Sequence, residues 1–205
     1  MYFIDRPEAA RELVPLVKKY SGSNTVVLAI PRGGVPIGCI LAKSLGAPLD
    51  LLMTKKIGAP FNPEYAIGAV GLESELIEET EGIPEAYILQ ETVAIRQQLK
   101  TRYHQFWGHK KPLSLLNKTV IITDDGIATG RTLLAALPML QNQKPMAIII
   151  AVPVCSLEAQ RRLTPLVTEL ISCYYPDPFI GVGRFYTNFG QVEDEEVKML
   201  LQEFQ

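Results

Sequence analysis

The chain has 205 residues, 47% of them hydrophobic and 20% charged, with a formal net charge of −2. That length suits one α/β domain with a substantial core, and the near-neutral balance excludes a global basic field for nucleic acid or an anionic membrane. Cys39, Cys155 and Cys173 are odd in number, widely spaced and set among apolar residues, which predicts reduced core thiols in a cytoplasmic protein and excludes a disulfide frame.

Asp5, Arg6 and Glu8 interrupt the N-terminus early, so a secretory leader is not expected there. The elements then follow in order. Residues 6–20 read as a helix with Ala9, Leu13, Leu16 and Val17 on one face. An apolar strand is expected over 25–30, followed by Pro31-Arg32-Gly33-Gly34 and a helical pattern through Val35, Ile37, Cys39, Ile40, Leu41 and Leu45. A second strand spans 48–54, and Lys55-Lys56-Ile57-Gly58 follows directly. Residues 59–82 are rich in Gly and Glu, with short alternating runs at Ala66–Gly71 and Glu75–Glu78. They read as a β excursion or flap. A long polar helix is expected over 84–107, with apolar Ala86, Ile88, Leu89, Val93, Ile95, Leu99 and Phe106. Strands return at 119–124, 146–152 and 169–174, separated by helices at 131–141 and 156–166. The longest apolar run, Met146–Cys155, is far short of a bilayer span and contains Pro153. His104 and His109 lie five apart with no cysteine or acid at ligand spacing, so they read as solvated and no metal-ligand set is expected. Alternating β–α units predict a parallel central sheet flanked by helices on both faces, as one domain over 1–205.

The most informative stretch is Val120-Ile121-Ile122-Thr123-Asp124-Asp125-Gly126-Ile127-Ala128-Thr129-Gly130-Arg131-Thr132. Its apolar strand ends in two carboxylates, at the edge where open α/β sheets bind ligands. Thr129, Gly130, Arg131 and Thr132 then supply backbone N–H groups, two hydroxyls and a cation at a helix N-terminus, which suits a phosphate. Carboxylates would repel a bare phosphate. They suit a ligand with hydroxyl donors beside its phosphate, as a ribose 5-phosphate has. A P-loop needs four residues between its glycines and then Gly-Lys-Ser/Thr, whereas three separate Gly126 from Gly130 and Arg131 takes the lysine's place. No G-x-G-x-x-G occurs. The plain alternative is a strand–turn–helix capped by a solvated Asp pair. Pro31-Arg32-Gly33-Gly34 offers a second anion site, because two glycines allow close backbone approach and Arg32 adds a planar cationic fork.

The acidic run resembles the phosphoribosyl-pyrophosphate (PRPP) signature of type I phosphoribosyltransferases. Pro31-Arg32-Gly33-Gly34 is similar to the pyrophosphate loop of the same enzymes. The run Lys56-Ile57-Gly58-Ala59-Pro60, continued by Asn62-Pro63-Glu64 and Ala66-Ile67-Gly68-Ala69, resembles a subfamily whose acceptor is undefined. The resemblance implies that Asp124 and Asp125 grip the ribose diol, with Gly126, Ile127, Ala128, Thr129, Gly130, Arg131 and Thr132 around the 5-phosphate. It implies that Pro31, Arg32, Gly33, Gly34, Lys55 and Lys56 surround the pyrophosphate, with Lys56 favoured over Lys55. It also implies a cis Pro31–Arg32 peptide, a mobile flap over 71–83 and a hood over 175–205. In the hood Phe179 and Ile180 would meet the acceptor, and Phe185, Tyr186 and Phe189 would shelter a flat ring or pack the core instead. Relatives that use 6-oxopurines carry an acid where this chain has Ala128. The implied reaction is transfer of 5-phosphoribose from PRPP to a nitrogen acceptor such as a nucleobase, releasing pyrophosphate. Mg²⁺ would be held mainly by PRPP oxygens and water. A homodimer is implied by the resemblance alone. The alternative is a non-catalytic PRPP- or nucleotide-binding regulator.

Overall fold

Asp5 opens the first helix by accepting a hydrogen bond from the Glu8 amide at 2.9 Å, an N-cap that satisfies one orphan donor. The computed structural model describes residues 2–78 and 81–204. Residues 79 and 80 of the expected flap and residue 205 at the end of the expected hood lie outside them. In chain order the elements are α1 (Arg6–Val17), β1 (Thr25–Ala29), α2 (Gly34–Leu45), β2 (Leu49–Leu51), β3 (Thr54–Ala59), β4 (Asn62–Gly71) and β5 (Glu75–Ile77). There follow α3 (Glu85–Trp107), β6 (Thr119–Thr123), α4 (Arg131–Asn142), β7 (Ala147–Val154), α5 (Leu157–Leu163), β8 (Glu169–Tyr174) and α6 (Asp194–Gln202).

The main sheet is parallel throughout, in the order β2-β1-β6-β7-β8. Strands β1, β2, β6 and β7 are buried on both faces, with successive side chains alternating between two cores, whereas the edge strand β8 is mostly half-buried. Val27, Ala29, Ile121 and Ile149 face a core shared with α1, α2, α3 and α6. Val26, Leu28, Val120, Ile122, Ile148 and Ile150 face a core shared with α4 and α5. The expected flanked parallel sheet is therefore present. The chain leaves β1 toward β2 but leaves β6 toward β7, so strand order reverses between β1 and β6. A crevice at such a reversal is where open α/β sheets bind ligands.

Several local expectations change. The strand expected over 48–54 is two strands: β2 stays in the main sheet, whereas β3 leaves it and pairs antiparallel with β4. The β excursion is thus a three-stranded sheet, β3-β4-β5, seated partly between α3 and α4. Lys55 and Lys56 lie within β3 and not at the end of a main-sheet strand, and strand alternation points them to opposite faces. The first helix buries Ala9, Ala10, Leu13 and Val17 but leaves Leu16 exposed, since the stripe runs along i, i+4 positions with Leu16 at its edge. In α3 the buried side chains are Thr92, Ile95, Leu99, Tyr103, Phe106 and Trp107, whereas Leu89 and Val93 face outward. The helix expected over 156–166 ends as α5 at Leu163 and continues as a 3-10 turn over Thr164–Leu166.

Burial pushes the thiols of Cys39, Cys155 and Cys173 up to about 12; Cys39 and Cys155 are buried core thiols as expected, whereas Cys173 is only half-buried. No helix among the described residues is long and apolar enough to cross a membrane.

Candidate active site

The two sequence motifs meet at the strand reversal. Ala29 and Thr123 are register partners at the ends of β1 and β6, and the Ile30 amide donates to the Thr123 carbonyl at 2.9 Å. The Arg32 loop then runs against the acidic loop with no room for side chains. A Cβ on Gly34 would lie 2.6 Å from the Thr123 carbonyl oxygen and 2.9 Å from Asp124 Cα. A Cβ on Gly33 would overlap the Asp125 carboxylate. Gly34 is thus required by close approach to backbone and not by an unusual backbone angle, whereas a side chain at Gly33 would displace the Asp125 carboxylate. The Pro31–Arg32 peptide is cis.

The residues of the loop after the acid pair are fastened from below. Ile127 donates its amide to Val154 O at 2.9 Å and accepts at its carbonyl from the Ser156 amide at 2.9 Å. The Ser156 hydroxyl donates to Ala128 O, and Arg162 Nη1 donates to Thr129 O at 3.4 Å. Ile127 is buried, and Ala128, Thr129, Arg131 and Thr132 are exposed. Gly130 adopts φ 69°, in the left-handed region, immediately before α4, which has no side-chain cap. The loop therefore presents uncapped helix amides to the outside, the arrangement that binds an anion.

The acid pair is asymmetric. Asp124 Oδ1 accepts the Asp125 amide at 2.9 Å. Burial, and then the charge of Asp125, hold the Asp124 carboxyl well above the ordinary carboxylate range. Asp125 is raised by burial against the opposing pull of Arg6. Arg6 Nε and Nη2 donate to Asp125 Oδ2 at 2.9 and 2.8 Å, and the Tyr186 hydroxyl donates to Asp125 O at 2.6 Å. Arg6 was not singled out from the sequence. A lone arginine at the start of a helix carries no motif, and its partner lies 119 positions away.

Arg32 is turned toward the start of α6, with Nη1 at 3.4 Å from Glu193 Oε2 and 3.3 Å from Asp194 Oδ1. Arg102 from α3 also reaches Asp194, at 3.4 Å. A shallow cavity of about 500 Å³ is lined by Arg6, Arg32, Gly33 and Asp125 on one side and by Val182, Phe189 and Gly190–Val192 on the other. Lys55 is directed away, its Nζ donating to Gln98 of α3 at 3.0 Å, while Lys56 is half-buried.

In the C-terminal segment Phe185 and Tyr186 are buried with Phe3 in a small aromatic core. Phe179 is half-buried against Phe185, ring centroids 5.1 Å apart. Ile180 is 74% exposed. Phe189 carries the Arg6 guanidinium 4.1 Å above its ring. Val197 and Leu201 of α6 are buried in the main core, so this helix packs against the body of the domain. Among the described residues no group of three or more His, Cys, Asp or Glu could hold a metal ion.

Comparison with known proteins bears on the family and the fold. The sequence model of the phosphoribosyl transferase domain matches residues 8–183. Two Mycobacterium tuberculosis proteins, provisionally named phosphoribosyl transferases, are 34% identical over 204 residues. That alignment covers 97% of this chain but 46% of each relative, so the chain spans about half their length. The crystal structure of TT1426 from Thermus thermophilus is similar over 100% of this chain and 99% of its own, with 34% identity and a TM-score of 0.89. A hypoxanthine-guanine phosphoribosyltransferase from Bacillus anthracis, 15% identical, matches 87% of this chain and 85% of its own with a TM-score of 0.50, a likeness of fold alone. With its family model matched over most of its length, the chain belongs to the phosphoribosyl transferase domain family.

Proposed function

We propose that this protein transfers 5-phosphoribose from PRPP to a nitrogen acceptor such as a nucleobase, with release of pyrophosphate. The observation that carries the reading is the packing of Gly34 on the Thr123-Asp124 backbone, and of Gly33 against the Asp125 carboxylate, at the strand reversal. Two anion-binding loops and a hydroxyl-binding acid pair thereby share one crevice. A ligand with a phosphate at one end, a pyrophosphate at the other and a diol between them fits that order of groups.

In this reading Gly126 through Thr132 receive the 5-phosphate on loop and helix amides. The acid pair Asp124 and Asp125 accepts from the ribose hydroxyls. Arg32, with Gly33, Gly34 and Lys56, receives the pyrophosphate. The bond between the anomeric carbon and the pyrophosphate oxygen breaks, with the electron pair leaving on pyrophosphate. The carbon–nitrogen bond forms, and the acceptor's proton is released to solvent. No covalent protein nucleophile is required, because positioning and charge stabilisation carry the reaction. Mg²⁺ would be held mainly by PRPP oxygens and water, with Asp124 or Asp125 in its outer shell, and would neutralise charge on the leaving group. Ile180, exposed beside Phe179, is the candidate acceptor contact.

A second reading is PRPP binding without transfer. It is favoured by the engagement of Arg32 with Glu193 and Asp194, which leaves the leaving-group cation committed elsewhere. One experiment separates the two. PRPP with Mg²⁺ is added to the protein and melting is followed, since a ligand selective for the folded state raises the melting temperature. Free bases and small amines are then screened for pyrophosphate release. Stabilisation with release supports transfer, and stabilisation without release supports the binder. No stabilisation at millimolar PRPP removes both.

A further inference from the structure

Arg6 occupies a position that ordinary helix chemistry disfavours. It is the first residue of α1, where the helix dipole repels a cation. A residue that breaks a local rule calls for a compensating tertiary role. Here that role is visible. Three of its five N–H donors are committed: Nε and Nη2 to Asp125 Oδ2 at 2.9 and 2.8 Å, and Nη1 to the Gly190 carbonyl at 2.8 Å. Its guanidinium lies over the Phe189 ring. The arginine and aspartate side chains are only 11% and 14% exposed.

Asp125 is held from every other direction as well. Its amide donates to Asp124, its carbonyl accepts from Tyr186, and Gly33 passes so close that a methyl group there would overlap the carboxylate. The Asp125 carboxylate is thus wedged between Arg6 and the Arg32 loop. Among the described residues Asp124 makes no ion pair, and its second carboxylate oxygen accepts no hydrogen bond.

We propose that Arg6 is a positioning residue of this site: it locks Asp125 as a brace between the two loops and leaves Asp124 as the acid that meets the ribose hydroxyls. The inference rests on the PRPP reading above and divides a task that the sequence resemblance assigns to both acids. Through Gly190 and Phe189 the same arginine also touches the C-terminal segment that lines the cavity, contacts that hold the guanidinium in place over Asp125.

The test is a double-variant cycle read by PRPP titration with Mg²⁺, at a temperature where circular dichroism shows every variant folded. Arg6→Met keeps the stem and removes the charge, Arg6→Lys keeps charge without the fork, and Asp125→Asn removes the partner. Arg6→Met is expected to weaken PRPP binding at least tenfold, with Arg6→Lys recovering part of the loss. Arg6→Met combined with Asp125→Asn is expected to bind within twofold of Asp125→Asn alone, because Arg6 acts through Asp125. A lower melting temperature with PRPP affinity within twofold of wild type would reduce Arg6 to a structural residue and overturn the proposal. Losses that multiply in the double variant would overturn it too. Should Arg6→Met not fold, Arg6→Gln takes its place in the same cycle with the same criteria. Failure of the wild-type protein to bind PRPP removes the functional reading and this inference with it, whereas tight wild-type binding with an unaffected Arg6 variant sinks the inference alone.

Discussion

Replacing Gly34 by Ala probes the contact on which the site depends. The added Cβ would sit 2.6 Å from the Thr123 carbonyl oxygen and 2.9 Å from Asp124 Cα. Both atoms are backbone at the end of β6, so no side chain can swing aside. Relief requires the loops to separate by roughly half an ångström or more, given ordinary non-bonded spacing. Overpacking of this kind costs about 1–3 kcal/mol. The same shift strains the Ile30 amide bond to Thr123 O, a loss of about 1 kcal/mol. Ala is the better helix former by up to about 1 kcal/mol, which offsets part of this. The net expectation is a loss of about 2 kcal/mol, or roughly 4–8 °C in melting temperature for a domain of this size. Gly46→Ala serves as the control. Gly46 ends α2 at φ 63°, and a Cβ there would meet no atom within 4 Å, so its cost is the left-handed backbone alone, about 1–2 kcal/mol. Scanning calorimetry and PRPP titration on both variants complete the comparison. Gly34→Ala should lose both stability and at least tenfold in PRPP affinity, whereas Gly46→Ala should lose stability only. A Gly34→Ala protein that melts and binds as wild type would refute the claim that the two loops are pressed together.

The remaining expectations concern charge and the acceptor side. Burial raises the folded-state pKa of Asp124 above its unfolded value, so the associated stabilisation is present at low pH and lost as pH rises through the raised value. Asp124→Asn should therefore melt above wild type at neutral pH, with the difference closing toward about pH 4; melting curves across that range check it, and a gap that widens on acidification would be the wrong sign. Glu193→Gln with Asp194→Asn should free Arg32 and tighten pyrophosphate binding several-fold, with little change in stability because exposed ion pairs contribute at most about 1 kcal/mol. Unchanged pyrophosphate affinity by calorimetry would take Arg32 out of the leaving-group site. Ile180→Ala should leave stability within about 0.5 kcal/mol, since Ile180 is 74% exposed; an unaltered KM for every accepted base would exclude it as an acceptor contact.

The strand-to-loop patterns were legible because they are local. An apolar run such as Val120–Ile122 that ends in Asp124-Asp125 and leads to Thr129-Gly130-Arg131-Thr132 carries its strand, its carboxylates and its helix start within a few residues. The alternation of such runs with amphipathic segments was enough for a parallel sheet covered on both faces. The second strand was harder. Leu49 through Lys56 is one continuous extended stretch in sequence, and only the tertiary structure sends Leu49–Leu51 into one sheet and Thr54–Ala59 into another. Periodicity does not state which neighbour a strand will pair with.

Charge partners were decided by tertiary structure alone. Sequence placed two like acids side by side and treated Asp124 and Asp125 as equals. The fold brings Arg6 from 119 positions away to one of them and leaves the other without an ion pair among the described residues. It likewise turns Arg32 toward Glu193 and Asp194 and buries Phe185 and Tyr186 in a core with Phe3. Short-range pattern records which groups a chain carries and what backbone they favour. Which of them meet across a hundred residues depends on how the helices dock on the sheet, and that is a property of the packed structure.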